Sequence, residues 1–229
     1  MRLTVQETRD FAEAKAKAPE ARFPLLEVFR RYPRMVLAGM GARFLDGVSF
    51  NVFGVYSLTY LTQQHGVHRE AALSSLIVAS AVMAVAIPFW GQFADRHGKA
   101  KIFGICVLLL GIVSFPAFWV LHNHAHNFVL VTLTLTIAFA ILHAGQYATM
   151  ASLFSDSFPA EVRYSGISFV YQFTAIFASG LTPMIATALT GWADGQPWYL
   201  CGYLLVAAGI SFMSTLWLAR LYVRERLPE

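Results

Sequence analysis

The chain has 229 residues, 57% of them hydrophobic and only 13% charged, about half the charged fraction of a soluble domain, so lipid rather than water is its expected main solvent. Its formal net charge of +4 comes from Lys and Arg that flank apolar runs rather than from a basic face, which sets nucleic-acid binding aside. Cys106 and Cys201 each lie inside an apolar run, a placement that excludes a disulfide framework and reads as small packing residues.

Residues 1–34 form a polar lead-in that holds eight of the seventeen Lys and Arg. Pro24 suits a first helical turn and Pro33 ends one. Between them Leu25, Val28, Phe29 and Tyr32 recur at helical spacing, with Glu27, Arg30 and Arg31 on the other side. That pattern reads as a short amphipathic helix on the headgroup surface, or as a solvated linker. The first apolar run begins near Met35, which predicts insertion through the spanning helices themselves rather than through a signal peptide.

Six apolar stretches follow, at about 35–61, 72–93, 102–121, 128–153, 165–190 and 198–222, each near the roughly 20 residues that cross hydrocarbon. The expected fold is an all-α membrane protein: a lead-in over 1–34, a six-helix bundle over 35–222 and a tail over 223–229. Short connections make sequential helices antiparallel neighbours. Fifteen Lys and Arg fall on one side of the bundle and only Arg69 on the other, with Arg43 inside a span. The positive-inside rule then puts both termini in the cytoplasm, and Trp192, Trp198 and Tyr199 at the far ends form an aromatic belt.

The first span carries Arg43, Asp46, Gly47, Asn51 and Gly54 on one helical face. Each charge costs about 3 kcal/mol at the bilayer centre, so this face should line a cavity or a helix interface. Two readings stand: Arg43 binding solute while Asp46 carries a proton, or an i, i+3 ion pair that locks packing. The fourth span presents His143, Gln146, Tyr147 and Met150 on one face, and the fifth presents Ser168, Tyr171, Gln172 and Ser179. Both stripes offer hydrogen bonds to a polar solute or to neighbouring helices. His143 lies deep in its span and reads as a proton relay or as a hydrogen-bonded packing residue.

Gly111 with Pro116, and Gly180 with Pro183, mark helix-bending candidates. In the loop near residue 124, His122, His124 and His126 alternate, so an extended strand would point all three to one side as a conceivable metal site, although no acid lies beside them. No catalytic set emerges from the remaining residues, and the chain is not expected to be an enzyme.

Between the second and third apolar stretches stands a short charged loop with Gly91, Asp95-Arg96, Gly98, Lys99 and Lys101. It resembles the cytoplasmic signature of the major facilitator superfamily, with Ala100 where a further basic residue is usual. The stretch Gly41-Ala42-Arg43-Phe44-Leu45-Asp46, with Asn51 and Tyr56, resembles the seventh helix of that family's metabolite:proton symporter branch, with Asp46 in place of the more usual glutamate. The run from Leu153 and Phe154 through Asp156, Phe158-Pro159, Arg163 and Gly166 is similar to the branch's loop between helices ten and eleven, where Asp156 again replaces a glutamate. The lead-in from Pro24 to Pro33 is similar to the end of the family's central cytoplasmic loop.

The resemblance implies the C-terminal six helices of a twelve-helix transporter in a bacterial cytoplasmic membrane. Relatives move small organic acids or zwitterions with protons. It implies no cofactor beyond the coupling proton, and as partners the bilayer, a small polar metabolite, and an N-terminal six-helix half or a second copy. The alternative is a non-transporting subunit or a truncated piece that assembles with another half. Gly91, Asp95, Arg96, Gly98, Lys99, Lys101 and Arg163 would form a cytoplasmic latch, Asp95 capping a helix N-terminus and Arg96 joining salt bridges. The bland reading of the same loop is a topology marker.

Overall fold

The computed structural model describes residues 24–159 and 162–226. The polar lead-in before Pro24 and the last residues of the tail lie outside that range. We number the helices α1 (Pro24–Arg31), α2 (residues 33–64), α3 (Arg69–His97), α4 (Lys99–Asn123), α5 (Phe128–Ser157), α6 (Arg163–Trp192) and α7 (Trp198–Arg226). Among the described residues there is no strand. The short first helix packs on α6 through Phe29, whose ring meets Phe169 edge-on at 4.5 Å, and Val28 is buried.

Five helices, α3 to α7, are long and apolar enough to cross a membrane. Six spans were expected, and α2 is the exception because Arg43, Asp46 and Asn51 interrupt its apolar run. It still occupies the position of a span, running antiparallel to α3 and packing along α7. The outer surface is the reverse of a soluble protein's: Ile77, Val85, Phe89, Val129, Met184, Val206 and Met213 are all exposed. In α3 only 17% of the apolar window is buried, so most of that helix faces lipid or another chain.

Turns are tight where backbone chemistry allows. The expected charged loop before α4 shrinks to one residue, because α3 stays helical to His97 and α4 begins at Lys99. Gly98 makes that reversal with φ +98°, a conformation only glycine adopts without strain. Asn127 caps α5, its side-chain oxygen accepting from Leu130 N at 3.1 Å. The alternating histidines are not extended, since α4 continues through His122 to Asn123 and the rest is a turn.

Small residues bring the helices close. A Cβ on Gly111 would lie 2.6 Å from Ala208 Cβ, and one on Gly47 would lie 2.8 Å from Ala178 Cβ. Gly111 therefore serves the α4–α7 contact, the small-residue packing usual in membranes. Gly180 and Pro183 do mark a break: α6 is interrupted at Leu181 and restarts at Thr182. Wider π-type turns occur at Val52–Tyr56 and Tyr60–Gln64 in α2, Thr136–His143 in α5 and Ile176–Gly180 in α6. These three helices also carry the buried charges and most of the polar stripes, a coincidence typical of functional sites.

Candidate functional site

Helices α2 and α5 lie antiparallel in a register fixed by side-chain contacts. Phe50 meets Phe139 at 5.6 Å between ring centroids, and His143 faces both Phe50 at 5.9 Å and Asp46. Continuing one turn along each helix puts Arg43 level with Gln146. The polar cluster thus centres on Asp46 with His143, with Arg43 and Gln146 one helical turn further along α2 and α5. Around it the bundle is apolar.

Asp46 is 6% exposed, His143 1% and Gln146 0%. Arg43 Nη1 stands 3.7 Å from Asp46 Oδ2, and His143 Nε2 stands 3.9 Å from Asp46 Oδ1. Neither distance makes a hydrogen bond. The Arg43 guanidinium lies over the Tyr171 ring at 4.4 Å, a cation–π contact from α6. Buried Nε and Nη1 of Arg43, Oδ1 of Asp46, Nε2 of His143 and both amide atoms of Gln146 have no hydrogen-bond partner. No protein group bonds those atoms, so they are available to a solute or to water, and each such bond is worth about 1–3 kcal/mol.

Two residues that sequence patterns did not single out shape this cluster. Ser49 Oγ lies 3.0 Å from His143 Nδ1 and donates to the Asp46 carbonyl at 3.3 Å. Ser211 on α7 accepts from Leu45 N at 2.8 Å and donates to Gly41 O at 3.0 Å. Those are the two ends of one i to i−4 link, so the serine bridges the α2 ladder between Arg43 and Asp46. Only the fold brings residue 211 there.

Other candidates separate from the cluster. Asn51 turns back on its own helix, donating to Gly47 O at 2.9 Å. Tyr56 pairs with Thr190 of α6, several turns away from Asp46. Tyr147 stacks near His143 at 6.3 Å between centroids yet stays about half exposed, and Gln172 is exposed.

At the basic end of the bundle, Lys99 Nζ reaches Asp156 Oδ2 at 2.6 Å, joining the start of α4 to the end of α5. A cleft of about 390 Å³ opens beside this pair, lined by Asp95, Gly98, Lys99, Lys101 and Asp156 among others. Asp95 lies in the last turn of α3, exposed, as are Arg96 and Lys101. The N-cap of α4 is Gly98, with no side-chain capping bond, so within the described residues Asp95 caps no helix. Gly91 lies inside α3 with open space where a Cβ would go. Arg163 donates instead to Phe158 O at 3.2 Å.

At the opposite end, Tyr60 Oη lies 2.8 Å from His122 Nδ1, and His65 sets its ring edge-on to His122 at 4.9 Å. Burial first, then the neighbouring His122 and His126, push His65 below the ordinary imidazole value. His124 packs against Trp119 instead. Among the described residues no group of three His, Cys, Asp or Glu could hold a metal ion.

The family model described as Major Facilitator Superfamily matches residues 39–229. The chain is 27% identical over 214 residues to the shikimate transporter of Escherichia coli, a match covering 93% of this chain and 48% of that protein. It is 27% identical over 178 residues to the ectoine/proline transporter of Corynebacterium glutamicum, covering 77% of this chain and 34% of the relative. An inner membrane metabolite transport protein of Escherichia coli is 26% identical over 221 residues, 94% of this chain and 49% of its own length. The chain spans about half the length of the curated relatives it matches. No solved structure matches it.

Proposed function

The chain belongs to the Major Facilitator Superfamily, and from that premise we propose that it forms one half of a carrier that moves a small organic acid or zwitterionic metabolite together with a proton. The observation that carries this reading is the Arg43–Asp46–His143 cluster, buried in an apolar bundle with hydrogen-bonding atoms left open. Open donors on Arg43 and Gln146 suit a carboxylate, which a guanidinium fork recognises through paired charge-assisted bonds. Asp46 supplies the titrating oxygen for the coupling proton. Tyr171 holds the guanidinium from behind, and Tyr147 lines the side that remains exposed.

Two six-helix halves rocking about a midplane site give alternating access in such carriers. The partner here is an N-terminal six-helix half or a second copy of this chain. The latch comprises Gly91, Asp95, Arg96, Gly98, Lys99, Lys101 and Arg163 at the cytoplasmic end of the bundle. Both termini lie on that side of a bacterial inner membrane, as the distribution of Lys and Arg favours.

The test is uptake into vesicles under an imposed inward proton gradient, with labelled shikimate and proline as probes. Vesicles would carry the chain alone or the chain co-expressed with a matching six-helix half. Gradient-driven accumulation in either arrangement supports the reading. Accumulation that ignores the gradient removes proton coupling, and none in either arrangement removes the carrier.

A further inference from the structure

We infer that His143 shares the coupling proton with Asp46, and that Ser49 is the positioning residue that holds its imidazole in the tautomer able to accept it. The inference rests on the carrier reading above. Its geometry starts from one hydrogen. Ser49 Oγ is within reach of two groups, the Asp46 carbonyl at 3.3 Å and His143 Nδ1 at 3.0 Å. A carbonyl only accepts, so a serine that uses both contacts gives its hydrogen to the carbonyl and turns its Oγ lone pair to Nδ1. In that arrangement Nδ1 carries the ring hydrogen and donates.

That assignment leaves Nε2 bare, 3.9 Å from Asp46 Oδ1. Neither atom has another partner, and both are buried. Two lone pairs facing each other in a dry pocket repel, and a single added proton turns repulsion into attraction, which becomes a charge-assisted bond once the two groups close by about 1 Å. Phe139 stacks on the imidazole at 5.2 Å with only 9° between planes, fixing the ring so that its Nε2 edge stays turned to Asp46. The groups facing the pair are Arg43 on α2, Tyr147 on α5 itself and Tyr171 on α6. From α3 and α4, Trp90 and Cys106 press on the adjacent Gly145 without adding a charge.

Charge balance gives the pair its use. Arg43 and Asp46 formally cancel, and His143 with Nδ1–H is neutral. One proton entering at Nε2 forms an N–H bond and can pass on to the ionised Asp46 carboxylate; wherever it rests between the two, it takes the cluster from neutral to +1. A monoanion at Arg43 restores neutrality. Proton binding therefore prepares the site for a carboxylate, and release of either partner weakens the hold on the other, which is reciprocal coupling.

The experiment is nitrogen-15 histidine resonance on the chain in lipid nanodiscs, titrated with protons alone. The His143 signals are identified by their loss in His143→Gln. Wild type should show the Nδ1–H tautomer at high pH and gain Nε2–H on acidification. Ser49→Ala should release the ring toward the Nε2–H tautomer and weaken proton binding about fivefold, the worth of one ordinary hydrogen bond. Ser49→Thr, which keeps the hydroxyl, should preserve the wild-type pattern. An Nε2–H tautomer in wild type, or an unchanged pattern in Ser49→Ala, overturns the inference even if transport is intact. Failure of the carrier reading shows separately, as no gradient-driven uptake by the chain alone or with a matching six-helix half.

Discussion

An arginine inside hydrocarbon needs partners, and those of Arg43 are incomplete: Asp46 at 3.7 Å and the Tyr171 ring face at 4.4 Å. The cation–π contact is worth about 0.5–2 kcal/mol and leaves the guanidinium edge free for a ligand. Arg43→Ala should therefore weaken equilibrium binding of the carboxylate solute that drives uptake by ten- to a hundredfold, roughly the 1.5–3 kcal/mol of a charged hydrogen bond. Arg43→Lys should recover only part of this, since an ammonium lacks the planar fork. Unchanged binding in Arg43→Ala would return the residue to a packing role. Asp46→Asn changes almost no volume and removes only the titrating oxygen. It should abolish accumulation driven by a proton gradient while leaving counterflow exchange within several-fold of wild type. Wild-type pH dependence in that variant would end the coupling role. The i, i+3 spacing of the two charges was legible from the chain because helical periodicity needs only local sequence. The orphaned atoms were not, because they depend on what the neighbouring helices withhold.

At the scale of helices, the link through Ser211 sets how α2 presents its charges. By accepting from Leu45 N and donating to Gly41 O, the serine ties α7 to the turn of α2 that carries Arg43 and precedes Asp46. Ser211→Ala should cost about 1 kcal/mol of stability in detergent unfolding from the lost bonds, and lower solute affinity without touching the ligand. Equal affinity would show that α2 keeps its course unaided. Such a contact is invisible in sequence, its partners lying 166 residues apart. The apolar runs of α3 to α7 were legible because hydrocarbon thickness dictates their length, whereas α2 fell short for the polar residues that make it interesting. His122, His124 and His126 alternate in sequence, but α4 runs through His122 and the turn after it holds His124, which packs on Trp119. The fold gives His65 a use there instead. Its proton affinity is depressed below the ordinary imidazole value of 6.5, so below that pH the unfolded chain binds a proton that the folded chain refuses. Stability contributed by this end is present above about pH 6.5 and is lost as pH falls toward the folded value. Unfolding in detergent should therefore become easier between about pH 7 and pH 5, and His65→Gln should flatten that slope.

For the whole bundle, magnitudes separate what holds the fold from what can switch it. The core is built by close helix contacts such as Gly111 on Ala208 and Gly47 on Ala178, where an added methyl group would force backbones apart at a cost of about 1–3 kcal/mol. The Lys99–Asp156 pair is of another kind. Its side chains are 29% and 46% exposed, and a bridge this wet is worth at most about 1 kcal/mol. That is too little to matter to folding, yet it biases two conformations by about fivefold, enough to shift a carrier whose inward and outward states are nearly balanced. The pair joins the one-residue turn at Gly98 to the end of the helix that carries His143, so it ties the basic end of the bundle to the buried cluster through α5. Lys99→Asp or Asp156→Lys should leave the unfolding temperature within a few degrees of wild type and solute affinity within about twofold, while slowing uptake several-fold. The swapped double variant, with both charges exchanged, should recover most of the rate because the attraction is restored at the same site. A double variant no faster than the singles would mean that each residue acts alone, as a charge marking one face of the membrane and not as half of a latch.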